Sequence, residues 1–381
     1  MPIYLDNNAT TQIAPEVRKA MEPYLDSEFA NPSSLYAAGS NVKRRIETAR
    51  IEIARLIGAK SEREIIFTSG GTESNNSAIR SALKVFPNKR KIITTQVEHS
   101  SVKNLCESLT REGYEVVFIG VDKTGALDWD EFLRALTSEV AVVSIMWANN
   151  ETGVLFPIAE VSRVVKEKGI LLHVDAVQAV GKIGIDLAKV HIDYLSFSAH
   201  KFHGPKGIGI LYVHEAAPFV PFILGGRQER DRRAGTENVP GIIGLQVALA
   251  FSLSKNSVQI AQLRDYFEDR LIKTIPDSFI NGLERTRIPN TTNITILGIE
   301  AEPLLIRLSQ AGIYASSGSA CLTGALEPSH VLMAMGHSED QASSSLRFSL
   351  SRYNTKEELD SAVEIISNLV HELRAIDPSV K

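Results

Sequence analysis

Cysteine is nearly absent. The chain has 2 cysteines, Cys106 and Cys321, among 381 residues, too few for a disulfide framework or a four-cysteine zinc site, so each must be explained by itself. Positive charge is not in excess either. The 41 Lys and Arg face 45 Asp and Glu for a net charge of −4, which denies the chain the broad positive field that phosphate backbones require and excludes direct nucleic-acid binding. No apolar run approaches the roughly 18 residues of a membrane span. The opening MPIYLDNNATT has neither a basic start nor a hydrophobic stretch behind it, so the expectation is a cytoplasmic protein with no membrane segment. Internal repeats and low-complexity tracts are missing too. What is present is 44% apolar residues, enough to bury a core in two or three packed units at roughly 100–200 residues each.

From about residue 60 to 215, short β-rich runs alternate with amphipathic stretches of helix length, the signature of a mostly parallel sheet covered by helices. The runs at 64–67, 91–95, 115–119, 140–146, 171–174, 194–197 and 208–213 predict a seven-stranded sheet. Most are continuously apolar, as expected where both faces are buried. Ahead of them, Val42, Ile46, Ala49, Ile53, Leu56 and Ile57 recur at helical spacing and run into Gly58, which can take the left-handed conformation that ends a helix. After about residue 255 the pattern changes. A helix at 259–275 leads to shorter strands at 292–297 and 346–350 and a final helix at 356–376. The fold class is α/β, with a large domain over 15–257 and a smaller α+β domain formed by 1–14 with 258–381. Stretches 225–241 and 316–324 read as loops of unusual composition.

The first chemical signal is LHVDAVQ at 172–178, where an apolar strand ends in Asp175 with Gln178 three residues on. Ligand-binding groups project from the carboxyl ends of strands in open α/β sheets, although a lone Asp there also serves as a helix N-cap. In DYLSFSAHK, Lys201 follows an apolar strand and precedes a Gly/Pro-rich turn, where packing gives no reason for a lysine. It is either a surface lysine or a desolvated amine able to form a Schiff base. Ser198 and His200 beside it can bind an anion. FTSGGTESNN brings Gly71 and Thr72 to a strand-to-helix turn whose first amides suit a phosphate. The spacing matches neither the dinucleotide fingerprint nor the P-loop. Cys106 shares a helical stripe with Val102, Leu105 and Leu109 and reads as a small core hydrophobe. Cys321, in SSGSACLTG, sits among small polar residues that cannot bury it, which makes it a candidate nucleophile.

Together these segments resemble the NifS/IscS-type cysteine desulfurases of the class V aminotransferase family, which are pyridoxal-phosphate (PLP) enzymes. YLDNNATT, NPSS, TSGGTESNN, VEHSSV, NNETGV, HVDAVQAVGK, SFSAHKFHGPKGIG, RAGTENVPG, SSGSAC and LRFSLSRYNT follow one another in family order along essentially the whole chain. The resemblance implies a large domain of PLP fold type I. It implies that Lys201 holds PLP as a Schiff base, that Asp175 pairs with the protonated pyridine nitrogen, and that Gln178 bonds the phenolic oxygen. The same resemblance implies that His99, in VEHSS, stacks on the ring and helps move protons, and that Gly71, Thr72, Ser198 and His200 hold the phosphate. Thr236 matches a threonine that members lend across a homodimer, and Arg347, with Asn150, takes the substrate α-carboxylate, a role suited to its planar donors. The implied reaction converts L-cysteine to L-alanine and leaves the sulfur on Cys321 as a persulfide for an iron–sulfur scaffold or another acceptor, with no metal. The long loop around SSGSAC matches the NifS and IscS group, departing from many relatives at Leu322 and Thr323. The rival readings are a selenocysteine lyase or another class V PLP enzyme.

Overall fold

A computed structural model describes residues 2–253, 257–317 and 328–376. In chain order its strands are β1 (Ile3–Tyr4), β2 (Ile65–Thr68), β3 (Lys91–Thr95), β4 (Glu115–Ile119), β5 (Val140–Met146) and β6 (Leu171–Asp175), followed by β7 (Tyr194–Ser198), β8 (Gly209–Val213), β9 (Ser278–Ile280), β10 (Thr291–Ile296), β11 (Ile313–Tyr314) and β12 (Ser345–Ser349). The large sheet has seven strands in the order β2-β8-β7-β6-β5-β3-β4, all parallel except β8. This is the mostly parallel α/β sheet that the apolar runs predict.

Both faces of this sheet are covered, and the strands show why. Ile65, Phe67, Ile93, Val143 and Ile210 pack into one core, while their neighbours Ile66, Ile92, Val142 and Leu211 pack into another on the opposite face. With apolar residues on both sides of the pleat, neither face is fit for water. The helix Ala37–Ile57 turns Val42, Ile46, Ala49, Ile53 and Ile57 inward and stops at Gly58, whose φ of 72° lets its N–H reach the carbonyls of Ala54 and Arg55. An added Cβ there would stand 2.4 Å from Asp186 Oδ1, so this stop requires glycine on two counts. Cys106 lies in the predicted core stripe with Val102, Leu105 and Leu109, and burial pushes its thiol up to about 12.

A second core forms around the antiparallel sheet β12-β10-β9. Phe267 and Leu271 from helix Ser257–Thr274 and Leu359, Val363 and Ile366 from helix Lys356–Ile376 cover it. Ile3 and Leu5 enter the same core, and β1 pairs in parallel with β11. The short strands β1, β9 and β11 are additions to the sequence reading, which gave this part of the chain only β10 and β12.

Candidate active site

Because β8 alone runs against the others, strands β2, β3, β5, β6 and β7 all point their carboxyl ends at one edge of the sheet. That edge is where open α/β sheets hold ligands. A cavity of about 230 Å³ lies there, and Gly71, Thr72, His99, Asn150, Asp175, Gln178, Ser198, His200 and Lys201 line it. Nine side chains or backbones singled out in the sequence are therefore in one place. Arg347 reaches its border, donating to the Asn150 carbonyl at 3.1 Å. Thr236 does not line it. It faces a separate surface cavity with Arg233 and Asn238. Cys321 lies outside the described residues.

Asp175 ends β6, with Met146 of β5 and Ser196 of β7 as its register partners. One of its oxygens accepts the Val177 N–H at 2.9 Å, which is the capping role open to any strand-end Asp, and the other accepts Asn75 Nδ2 at 2.7 Å. Lys201 follows β7 by a single 3₁₀ turn, Ala199–Lys201. Its amine donates to the backbone carbonyls of Asn8 at 2.6 Å and Ala9 at 3.0 Å. Burial first, then the Arg347 charge, lowers its pKa to about 8 against the opposing pull of Asp175 and Asp6. A lysine so tuned holds a reactive neutral fraction near neutral pH.

On the phosphate-like side, helix Gly71–Val85 opens against the cavity. Gly71 permits the close approach, since a Cβ would sit 2.6 Å from Val177 Cγ2. The first amides of such a helix have no intrahelical acceptor and favour an anion. Burial holds His200 neutral, with its pKa lowered to about 4. Its Nδ1 lies 3.2 Å from Thr10 Oγ1.

His99 is the N-cap of helix Ser100–Arg111, where its Nδ1 accepts the Ser101 N–H at 3.1 Å and meets Ser101 Oγ at 2.8 Å. Desolvation lowers its pKa. Behind it Glu98 is buried, taking Thr95 Oγ1 at 2.7 Å and the Met146 N–H at 2.9 Å on one oxygen. Burial raises its pKa to about 8.

Opposite the strand ends, Arg347 on β12 pairs with Asp6 at 2.8 Å. Its Nε and the nearby Asn150 Oδ1 are buried with no partner among the described residues. Unpaired buried polar atoms are costly unless a ligand satisfies them. Residues that sequence reasoning left out also shape the site. Asn75 links Asp175 to Ser101, donating to Ser101 Oγ at 2.9 Å, and Asn8 accepts from Lys201 and Gln178. Both lie inside quoted motifs, TSGGTESNN and YLDNNATT, so the signal was present in the spelling but not in any periodicity.

The loop that carries Thr236 is fixed by a buried contact. Glu229, Arg230 and Asp231 all have positive φ, between 49° and 64°, a run that costs L residues roughly 1–2 kcal/mol each. The buried Glu229 carboxylate offsets that strain by taking both guanidinium nitrogens of Arg50 at 2.7 Å and the Phe67 N–H at 2.8 Å.

The family model described as Aminotransferase class-V matches residues 3–361. A curated protein named cysteine desulfurase from Trichormus azollae is 51% identical over 379 residues, covering 99% of this chain and 94% of that protein. Cysteine desulfurase NifS from Azotobacter vinelandii is 48% identical over 379 residues, with the same 99% and 94% coverage. Among solved structures, one titled NifS-like protein superposes with a TM-score of 0.92 at 38% identity, covering 98% of this chain and 100% of that one.

Proposed function

From a chain that belongs to the class-V aminotransferase family, we infer a PLP-dependent cysteine desulfurase that converts L-cysteine to L-alanine and passes the sulfur to Cys321. The observation that carries the reading is one cavity holding a lysine amine tuned to about 8 beside a carboxylate at a strand end. The residues fit the cofactor that the family uses. Lys201 supplies the amine for a Schiff base, Asp175 the anion for a pyridinium nitrogen, and Gln178 a donor for the phenolic oxygen. Thr72, Ser198, His200 and the first turn of helix Gly71–Val85 supply donors for a phosphate. When bound, PLP provides an electron sink for the carbon skeleton of the substrate.

The chain's own groups do the rest. Arg347 Nε, a buried donor unpaired in the structure, and the side-chain NH₂ of Asn150 take the substrate α-carboxylate and so fix its Cα against Lys201. The Lys201 amine, neutral above about pH 8, removes the α-proton. Nδ1 of neutral His99 is occupied by Ser101, so its proton sits on Nε2 and is available for donation toward the substrate. Cys321 as thiolate attacks the substrate sulfur. An S–S bond forms, the C–S bond breaks, and the electron pair remains with the carbon skeleton that is protonated to alanine. Each turnover thus consumes one cysteine and one thiol and yields one alanine and one persulfide.

Thr236, which does not line the active-site cavity of its own chain, serves the second subunit of a homodimer in this reading. The persulfide goes to an iron–sulfur scaffold or another acceptor protein. No helix among the described residues is long and apolar enough to cross a membrane, and we place the reaction in the cytoplasm. The test is to incubate purified protein with L-cysteine and a reductant and to quantify alanine and sulfide, with selenocysteine in parallel. Equimolar products that vanish in a Cys321→Ser variant still coloured by PLP are expected. Alanine from the Cys321→Ser variant at the wild-type rate, or turnover of selenocysteine alone, overturns the reading.

A further inference from the structure

Lys182 closes the motif HVDAVQAVGK four residues beyond Gln178, and no step above uses it. Its Nζ donates to Gln178 Oε1 at 2.5 Å and to Asn8 Oδ1 at 2.7 Å. Gln178 also reaches the Asn8 backbone. Gln178 Nε2 donates to the Asn8 carbonyl at 3.0 Å, and that carbonyl also takes the Lys201 amine at 2.6 Å. Asn8 Nδ2 is spent on Thr291 Oγ1 at 2.8 Å and the Asn150 carbonyl at 3.1 Å.

This arrangement settles a question that packing leaves open. The donor and acceptor ends of a glutamine amide have nearly the same shape, so contacts alone do not decide which end faces a cavity. In both of these contacts the Lys182 amine is the donor. It therefore claims Oε1 and turns the NH₂ end of Gln178 toward Asn8 and the cavity that Gln178 lines.

Resting on the reading of the site as a PLP site, we propose that Lys182 is a positioning residue: it holds the Gln178 amide with its N–H toward the phenolic oxygen of the cofactor and, through Asn8, sets the carbonyl against which the Lys201 amine rests. The local electrostatics agree with that placement. Burial and the positive charges of Lys201 and Arg347 lower the Lys182 pKa well below the ordinary lysine value, with no carboxylate acting to raise it. Its N–H donors suffice for both amide oxygens it meets here.

The experiment compares PLP-loaded wild type, Lys182→Met, Gln178→Leu, the double variant and Lys182→Arg. It follows the pH midpoint of the visible PLP absorption and the PLP dissociation constant. A donor on the phenolic oxygen stabilises its anion and so lowers the basicity of the neighbouring imine. Losing the donor should move the midpoint up by about half a pH unit and weaken PLP about three- to tenfold, the size of one hydrogen bond. Lys182→Met and Gln178→Leu should shift alike, the double variant no further than Gln178→Leu, and Lys182→Arg should stay near wild type. If Lys182→Met does not fold, Lys182→Leu takes its place, with the same shift expected.

A midpoint and PLP affinity unchanged in the Lys182 variant, with only a lower melting temperature, overturns the proposal, and so do shifts that simply add in the double variant. A wild-type protein that takes up no PLP overturns the functional reading itself, a result distinguishable from either.

Discussion

The two walls of the cavity are made in different ways. On one wall, Asp175, Ser198, Lys201 and His99 each lie within four residues of the end of a strand in the large sheet, and the ladder that joins those strands spaces them. On the other, Asp6, Asn8 and Arg347 come from the amino-terminal segment and the small sheet, and Asn150, four residues beyond β5, reaches across to bond with them. Those groups are joined by long-range side-chain bonds on top of the backbone pairing of residues 5–7 with Ser349: Arg347 reaches Asp6 across 341 positions of sequence and the Asn150 carbonyl across 197. A group on the ladder wall can lose its side chain and leave its neighbours in place. A group on the other wall takes part of the wall with it when it goes, because its partner is left buried and unpaired. The first arrangement suits a cofactor that must stay aligned, the second a substrate that must enter and leave.

Breaking the ladder wall at its reacting atom should have the largest effect. Lys201→Ala removes the amine without touching the strand that precedes it, so the fold and melting temperature should hold while the Schiff-base absorption and turnover fall below detection. Retained absorption would take Lys201 out of its role. The substrate wall should give a graded loss. Arg347→Gln removes a charge-assisted contact to the carboxylate, worth about 1.5–3 kcal/mol, so kcat/KM for cysteine should fall roughly 10- to 150-fold, carried mainly by KM. The same variant tests whether the walls are electrically joined. The Arg347 charge helps to hold Lys201 at about 8, so the rate at which stripped protein takes up PLP should rise through about pH 8 in wild type. In Arg347→Gln the midpoint should move to higher pH, since the neutral amine loses a neighbour that favoured it. An unmoved midpoint would mean that the two walls act independently.

The same contrast decides what could be read from the sequence. The ladder wall was legible because a run of apolar residues that stops at Asp, or at Ser-Ala-His-Lys, has no packing reason to stop there. LHVDAVQ and SFSAHK therefore announce a strand and its ligand together. Gly58 and the Cys106 stripe were legible for the same reason, each being a break or a match in a helical period. The substrate wall was not. Arg347 in an apolar strand signals that a partner must exist, but nothing in the sequence names Asp6, 341 positions away. Asn75 and Lys182 sit inside motifs whose spelling gives the residue and not the direction of its side chain. The strands β1, β9 and β11 span only two or three residues, too short for an alternation to register.

The smallest effect tests the ladder wall from inside. Ser101 Oγ lies between Asn75 Nδ2 at 2.9 Å and His99 Nδ1 at 2.8 Å. An amide NH₂ can only donate, so the hydroxyl accepts from Asn75 and gives its own proton to His99. That bond favours the neutral imidazole, in the direction in which desolvation already moves it. Ser101→Ala keeps the backbone N–H on Nδ1 and the Asn75 bond to Asp175. It should therefore cost only about two- to tenfold in kcat, one neutral hydrogen bond, leave PLP affinity unchanged, and raise the acid limb of the pH–rate profile as His99 regains part of its basicity. A loss as large as that of Arg347→Gln would break the comparison. It would mean that His99 is placed by the side-chain chain through Asn75, and that the strand ends set only where that chain begins.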